Sequence, residues 1–363
     1  MIERLATHLL IQPDDVQPSH PDWEVIGVFN PGVARHGDET VIVARVAERP
    51  RHQREGWTPH PRWSREDGYV VDWSRNEHVE PKDARVMRHR HTGLVRLTFI
   101  SHLRVFRSRD GRTIDNVEAP PILPSNEMEE FGMEDPRITW LDDRFYITYV
   151  AVSHHGPATA LASTTDFKTF ERHGIIFCPE NKDVVLLPKK INGEYIALHR
   201  PLGEIPFCRP EMWIARSPDL VHWGRHAYLF AGAGDWEGGR VGAGAPPLAV
   251  PDGWLEIYHG NRRPEFFGQV GMYCAGAMLL AKDEPGRVLA VSREPLFEPA
   301  LEFELDGFVD RVVFPTGVLE EDDRLLIYYG SSDKYCAMVE LARDDVLRGL
   351  APVSRVRSDF QSE

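Results

Sequence analysis

The run DDRFYITYVAVS, residues 142–153, carries the reading that decides the fold. Two aspartates open it, and short acidic side chains tolerate the backbone of a tight turn. Aromatic and β-branched residues then follow without a gap and without a helical period, which marks a strand. Past the break at His154–Pro157, the segment TALASTTDFKTF (159–170) begins as a second strand of small and apolar residues, so the two read as a hairpin.

The same phrase recurs along the chain. GDETVIVARV starts at Gly37, NGEYIALHRP at Asn192, DGWLEIYHG at Asp252 and DDRLLIYYGSS at Asp322. Partner strands follow three of these, as MWIARSPDLVHW (212–223), CAGAMLLAKDEPGRVL (274–289) and CAMVELARDDV (336–346). With 29 Gly and 28 Pro as punctuation and no long helical pattern, the fold class is all-β. Repeats at uneven spacing suit a β-propeller, whose loops accept insertions, better than a solenoid. The copy count predicts a five-bladed β-propeller formed as a single domain from residues 1–363. The polar, aromatic-dotted stretch RPRHQREGWTPHPRWSREDGYVV (49–71) reads as a loop insertion. It is either a flap over a central pocket or a surface excursion without a role. DDVLRGLA (344–351) is a short C-terminal helical segment.

Bulk properties narrow the function classes. The net charge of −14, from 42 basic and 56 acidic residues, opposes binding to nucleic acid and to anionic membranes. No run reaches the roughly 20 apolar residues that span a bilayer, and no secretory leader is recognisable. The four cysteines, Cys178, Cys208, Cys274 and Cys336, form no CxxC pair, which fits reduced thiols and a cytoplasmic protein. The pairs His89/His91 and His154/His155 lack the carboxylates of a metal site, so no metal and no organic cofactor are expected.

Candidate chemistry gathers at strand ends. EMEEFGMEDPRIT holds five carboxylates between Glu127 and Asp135. Asp135 precedes a proline, which disfavours helix there, and Arg137 shares its face in an extended chain. A catalytic carboxylate and a structural Asp–Arg pair both fit that spacing. Lys182, Arg200, Arg240 and His259 sit at the edges of strand patterns in different repeats, so the propeller geometry would bring them together around one anion. For each alone, a surface salt bridge is the competing reading. Asn30 in FNPGVAR, Arg45 in VIVARV and Asp333 in YYGSSD flank the first and last repeats. Beside them Tyr149, Tyr258, Tyr328 and Tyr329 end strands, as sugar platforms or as ordinary packing. Neither a GxSxG elbow nor a GxGxxG turn into a helix is present.

The ordered set FNPGVAR, GMEDPRIT, NKDVVLLPKKINGEY with HRP, SPDLVHW, GAGAPP with IYHG, and VVFPTG with YYGSSD resembles glycoside hydrolase family 130, the mannoside phosphorylases and related β-mannosidases. The resemblance runs from about Asn30 to Asp333. It implies a five-bladed propeller that inverts a β-mannosidic centre, with Asp135 as general acid acting through a hydroxyl of the mannosyl unit. It implies inorganic phosphate as co-substrate, held by Lys182, Arg200, Arg240 and His259, and a β-1,2- or β-1,4-linked mannoside held by Asn30, Arg45, Asp333 and Tyr258. Homo-oligomers are common among such enzymes. The products would be α-mannose 1-phosphate and the released sugar. Two other readings are carried forward. One is an inverting β-mannosidase, which needs a second carboxylate as base, drawn from Glu204, Glu211, Glu237 or Glu256. The other is a glycan-binding propeller without catalysis.

Overall fold

The computed structural model describes residues 1–83, 85–118, 120–201, 209–232, 235–262 and 270–353. Glu204 and Cys208 lie outside the described residues. The fold is all-β. Among the described residues there are 27 strands in six sheets, against two α-helices, Glu302–Leu305 and Arg343–Arg348. The second of these helices is the segment expected near the C-terminus.

Turn chemistry explains the hairpins. Asp142 and Asp143 take φ of 48° and 62°, and Leu141 pairs directly with Arg144 across them. Two successive left-handed residues match the right-handed twist of the strands they join, and short polar side chains adopt them at least cost. Asn192 and Gly193 repeat the device with φ of 52° and 82°.

A four-stranded antiparallel unit recurs along the chain. The first comprises Trp23–His36, Glu39–Pro50, Ile100–Ser108 and Asn116–Val117. The second comprises Gly132–Leu141, Arg144–Ser153, Gly156–Thr164 and Glu171–Phe177, and its strand ladder joins that of the first at a parallel pairing of Gly132 with Ser101. Asn181–Leu186, Tyr195–Pro201, Met212–Ser217 and Gly224–Phe230 make the third. The fourth contains Arg240–Ala243, Gly253–Arg262, Met272–Ala281 and Val288–Ser292, extended by Leu350–Pro352 at its edge. Val313–Glu321, Arg324–Ser331 and Tyr335–Ala342 form the fifth, whose outer strand, Ala6–Ile11, comes from the other end of the chain.

Second strands of two of these units are buried almost throughout. Nine of the ten residues in Gly253–Arg262 and seven of the eight in Arg324–Ser331 are buried. A strand can be apolar on both faces only where both faces are covered, and here each face packs on a neighbouring unit. Ala34, Val41 and Leu103 pack with Phe145 and Ile147 of the second unit. Leu141 and Leu161 meet Val184 and Ala215 of the third. Val185 and Leu198 meet Trp254 and Met278 of the fourth. Leu255 and Ile257 meet Ile327 and Val339 of the fifth. Val28 and Ile42 of the first meet Leu326 and Met338 of the fifth.

The leading strands break their register at corresponding points. Shifts fall between Phe29 and Gly32, between Glu134 and Arg137, between Lys182 and Val185, and between Pro315 and Gly317. Inside the first three stand Asn30, Asp135 and Asp183, left-handed with φ of 51°, 51° and 56°. A bulge of this kind interrupts strict alternation and re-aims side chains, and such strain gathers at functional sites.

Between the second and third strands of the first unit, residues 51–99 leave the sheet. Trp57–Ser64 and Gly68–Arg75 pair as a hairpin, and Val79–Pro81, Val86–His89 and Val95–Leu97 form a three-stranded sheet. The excursion is therefore longer than the 49–71 stretch and is built of strands.

Candidate active site

The bulged ends of the leading strands face one cavity of about 370 Å³. Its walls include Asn30, Arg45, Glu134, Asp135, Lys182, Asp183, Arg200, Arg240 and Asp333. The inserted three-stranded sheet adds Lys82, Asp83 and Arg85, and Phe99, Tyr273 and Phe314 supply aromatic surface. Sequence reasoning did not find Glu134, Asp183, Arg85 or these aromatics as site residues. The part of the excursion that reaches the cavity is 82–97, beyond the stretch singled out from the sequence.

Asp135 is buried, and its Oδ1 accepts hydrogen bonds from Asn30 Nδ2 at 2.7 Å and Arg45 Nη1 at 3.1 Å. Burial works to raise its pKa, yet the cations of Arg45, Arg137 and Lys182 and the Asn30 amide hold it below the usual carboxylate value. Asp333 goes the other way: burial lifts its pKa above the ordinary value, against the pull of Arg85 and Arg45. The cavity thus holds carboxylates driven apart in acidity by their surroundings, a mark of functional sites.

Arg45 is positioned on all sides. Nη2 donates to Glu134 Oε1 at 2.7 Å and Nε to Ser101 Oγ at 3.0 Å, while the guanidinium lies 4.6 Å from the centre of the Phe29 ring. It thereby bridges the two site carboxylates, Glu134 and Asp135. Glu134 also pairs with Lys182 Nζ at 3.4 Å.

Arg137 corrects the face-sharing argument. The register shift after Glu134 sends its side chain into the wall, where Nη1 donates to the main-chain oxygen of Asp135 at 2.7 Å and Nη2 to Asp183 Oδ1 at 3.3 Å. The carboxylate it pairs with is that of Asp183.

Two predicted site residues lie away from the cavity. His259 is fully buried behind the wall, with Nε2 3.3 Å from Asp183 Oδ2 and its ring 4.3 Å from that of Phe314. Burial lowers its pKa against the opposing pull of Asp183, so the ring favours the neutral form. Tyr258 is fully buried between the third and fourth units; its hydroxyl donates to Glu237 Oε2 at 2.9 Å and its ring stacks on Trp236. Strand alternation is the reason: neighbours in sequence face opposite ways, and Tyr258 faces the packed side. Tyr149, Tyr328 and Tyr329 are buried in the same manner, donating to Glu129, the Gly111 carbonyl and Glu304.

The alternative bases fare similarly. Glu211, Glu237 and Glu256 do not line the cavity. Glu256 is fully buried, accepts the Gly244 N–H at 3.1 Å and is pushed well above the usual carboxylate pKa by burial. Among the described residues no group of three or more His, Cys, Asp or Glu is arranged to hold a metal ion, and no helix is long and apolar enough to cross a membrane.

A buried acid beside a cation-rich cavity is suited to cleaving a bond with an anion as reactant. The comparisons with known proteins agree with that class. The family model described as beta-1,4-mannooligosaccharide phosphorylase matches residues 84–351, and the chain belongs to glycoside hydrolase family 130. It is 37% identical over 359 residues to the beta-1,2-mannobiose phosphorylase of Listeria innocua serovar 6a, covering 96% of this chain and 98% of that one. A solved structure of the Listeria innocua enzyme with beta-1,2-mannobiose superposes with a TM-score of 0.88 at 36% identity, covering 95% of this chain and 99% of that one. The beta-1,4-mannooligosaccharide phosphorylase of Ruminococcus albus is 37% identical over 228 residues, covering 61% of this chain and 67% of that one.

Proposed function

We propose that this chain is an inverting β-mannoside phosphorylase, with Asp135 as its general acid and Lys182, Arg200 and Arg240 as its phosphate ligands. The observation that carries the reading is the charge of the cavity. Six basic side chains line it (Arg45, Lys82, Arg85, Lys182, Arg200, Arg240) against five acidic ones (Asp83, Glu134, Asp135, Asp183, Asp333), in a protein of net charge −14. Every one of the five carboxylates has a cation within 4.0 Å. Ion pairing works against a carboxylate as base; Asp333, paired only at 3.9 Å, is the cavity aspartate whose pKa nonetheless stands above its ordinary value, so a hydrolytic mechanism would have to use it to activate water. Phosphate needs no such base, because it arrives as an anionic nucleophile that cations need only hold in line.

In this reading Asp135 protonates the departing glycosidic oxygen through a hydroxyl of the mannosyl unit, while phosphate attacks the anomeric carbon from the opposite face. The products are α-mannose 1-phosphate and the released sugar. Asp135 is ionised in the free enzyme, because its neighbours are cations. Phosphate bound at Lys182, which is both one of those cations and one of the phosphate ligands, offsets part of that field and returns the carboxyl towards its protonated form. Asn30 and Asp333 are assigned to the mannoside, and Arg45 to orienting Asp135 and Glu134. The architecture we infer is a single-domain five-bladed propeller with the cavity on its axis. Its support is the set of apolar contacts that joins each four-stranded unit to the next and the fifth back to the first. A β-1,2 linkage is favoured, because the relative named for it aligns over nearly the whole of both chains.

The test is an incubation with β-1,2-mannobiose with and without phosphate, followed by NMR. Mannose 1-phosphate should form in step with phosphate. Release of free mannose at the same rate without phosphate would refute phosphorolysis.

A further inference from the structure

Asp183 holds in the third unit the place that Asp135 holds in the second and Asn30 in the first. Each is the left-handed residue inside the register shift of its leading strand. Its side chain is 1% exposed and surrounded by positive or basic groups. Oδ2 lies 2.7 Å from Arg200 Nε and 3.3 Å from His259 Nε2, and Oδ1 accepts from Arg137 Nη2 at 3.3 Å. Arg137 in turn donates to the backbone oxygen of Asp135. One carboxylate therefore ties an arginine of the cavity wall to the backbone that carries the acid. Glycine at 242 is what admits it: a Cβ there would stand 2.3 Å from Asp183 Oδ2 and 2.6 Å from His259 Cε1.

Charge alone makes this carboxylate a paradox, since an anion beside an anion site should weaken binding. We propose that Asp183 is a positioning residue for the phosphate co-substrate. By engaging the Nε edge of Arg200 it fixes the plane of that guanidinium and leaves the terminal nitrogens to the cavity. Through Arg137 it holds this cation wall in register with Asp135. The inference rests on the assignment of phosphate to Lys182, Arg200 and Arg240.

The two accounts of Asp183 predict opposite signs. If it is only a nearby charge, Asp183→Asn leaves the site more positive and lowers the KM for phosphate. If it positions Arg200, Asp183→Asn raises the phosphate KM by roughly 10-fold or more, the worth of one short buried charge contact, with the KM for β-1,2-mannobiose little changed. Gly242→Ala keeps every charge and displaces Asp183 and His259, so the same phosphate-selective loss is expected from it, which covers the case in which Asp183→Asn fails to fold. Lys182→Ala serves as the control for the phosphate site itself. A phosphate KM that falls or stays unchanged in Asp183→Asn, or in Gly242→Ala where only that variant folds, overturns the proposal. So does an equal rise in both KM values. If those results come while Lys182→Ala still raises the phosphate KM, positioning alone has failed. If Lys182→Ala and both other variants leave it unchanged, the phosphate assignment has failed and the proposal with it.

Discussion

Replacing Asp135 by asparagine removes the proton donor and one buried negative charge. The amide has the shape of the carboxyl, and its oxygen can still accept from Asn30 Nδ2 and Arg45 Nη1, which now stand 2.7 and 3.1 Å from Oδ1. Arg45 keeps its 2.7 Å bond to Glu134. A positioned general acid contributes about 10²–10⁴ in rate, or roughly 3–5 kcal/mol of barrier. Asp135→Asn should therefore lose kcat on β-1,2-mannobiose by that factor, with both KM values within about threefold. The same variant loses a charge that its surroundings favour. Because the folded pKa is depressed, the charged form adds stability above the unfolded-state value near 4, and that contribution fades as pH falls. At pH 7 a charged hydrogen bond of about 1.5–3 kcal/mol corresponds to a melting shift of about 2–4 °C in a chain of this length. The decisive assay pairs two donors. An aryl β-mannoside whose phenolate leaves without a proton should be cleaved by the variant with far less loss than mannobiose. Equal losses on both donors, or turnover of mannobiose within tenfold of the native enzyme, would refute the acid assignment.

Two further outcomes follow from the same geometry. Phosphate binding should draw protons to Asp135, because offsetting Lys182, one of the three cations that depress its pKa, releases it upward. Calorimetry of phosphate binding in buffers of different ionisation enthalpy, at pH 7 and below, should report net uptake that Asp135→Asn abolishes, and the same uptake in that variant would contradict the linkage. Tyr258→Phe should cost about 1–3 kcal/mol of stability by leaving Glu237 short of a buried donor, with both KM values unchanged. A native melting temperature together with a raised mannoside KM would return Tyr258 to the sugar site.

The strands were legible residue by residue. DDRFYITYVAVS and its copies combine turn chemistry with β-branched and aromatic runs, and both signals are local, so these runs pair with the strands that follow them. Asp135, Lys182, Arg200 and Arg240 were legible for a related reason. Charged side chains at the ends of strands stand out locally, although a surface salt bridge or a structural Asp–Arg pair fits each one taken alone, and it is the shared cavity that groups them. Tyr258 was misleading because a strand end has two faces, and composition does not say which one is covered; ordinary packing, the other reading of the tyrosines, holds for all four. Asp183 was missed although its signal was present. Aligned on their leading strands, FNPG, EDPR and KDVV each carry Asn or Asp at one position. Glu134 and Asp183 went unread because strict alternation assigns adjacent residues to opposite faces, and only a bulge brings Glu134 with Asp135, and Lys182 with Asp183, into one cavity.

The sequence by itself determined an all-β chain of repeating hairpins with an acid and a set of cations at strand ends, since turn preference and strand composition are properties of a few neighbouring residues. The tertiary structure alone decided which of those end residues share a cavity. That choice depends on register shifts, on backbone approach at Gly242 and on packing between units far apart in the chain, none of which is encoded within any one segment.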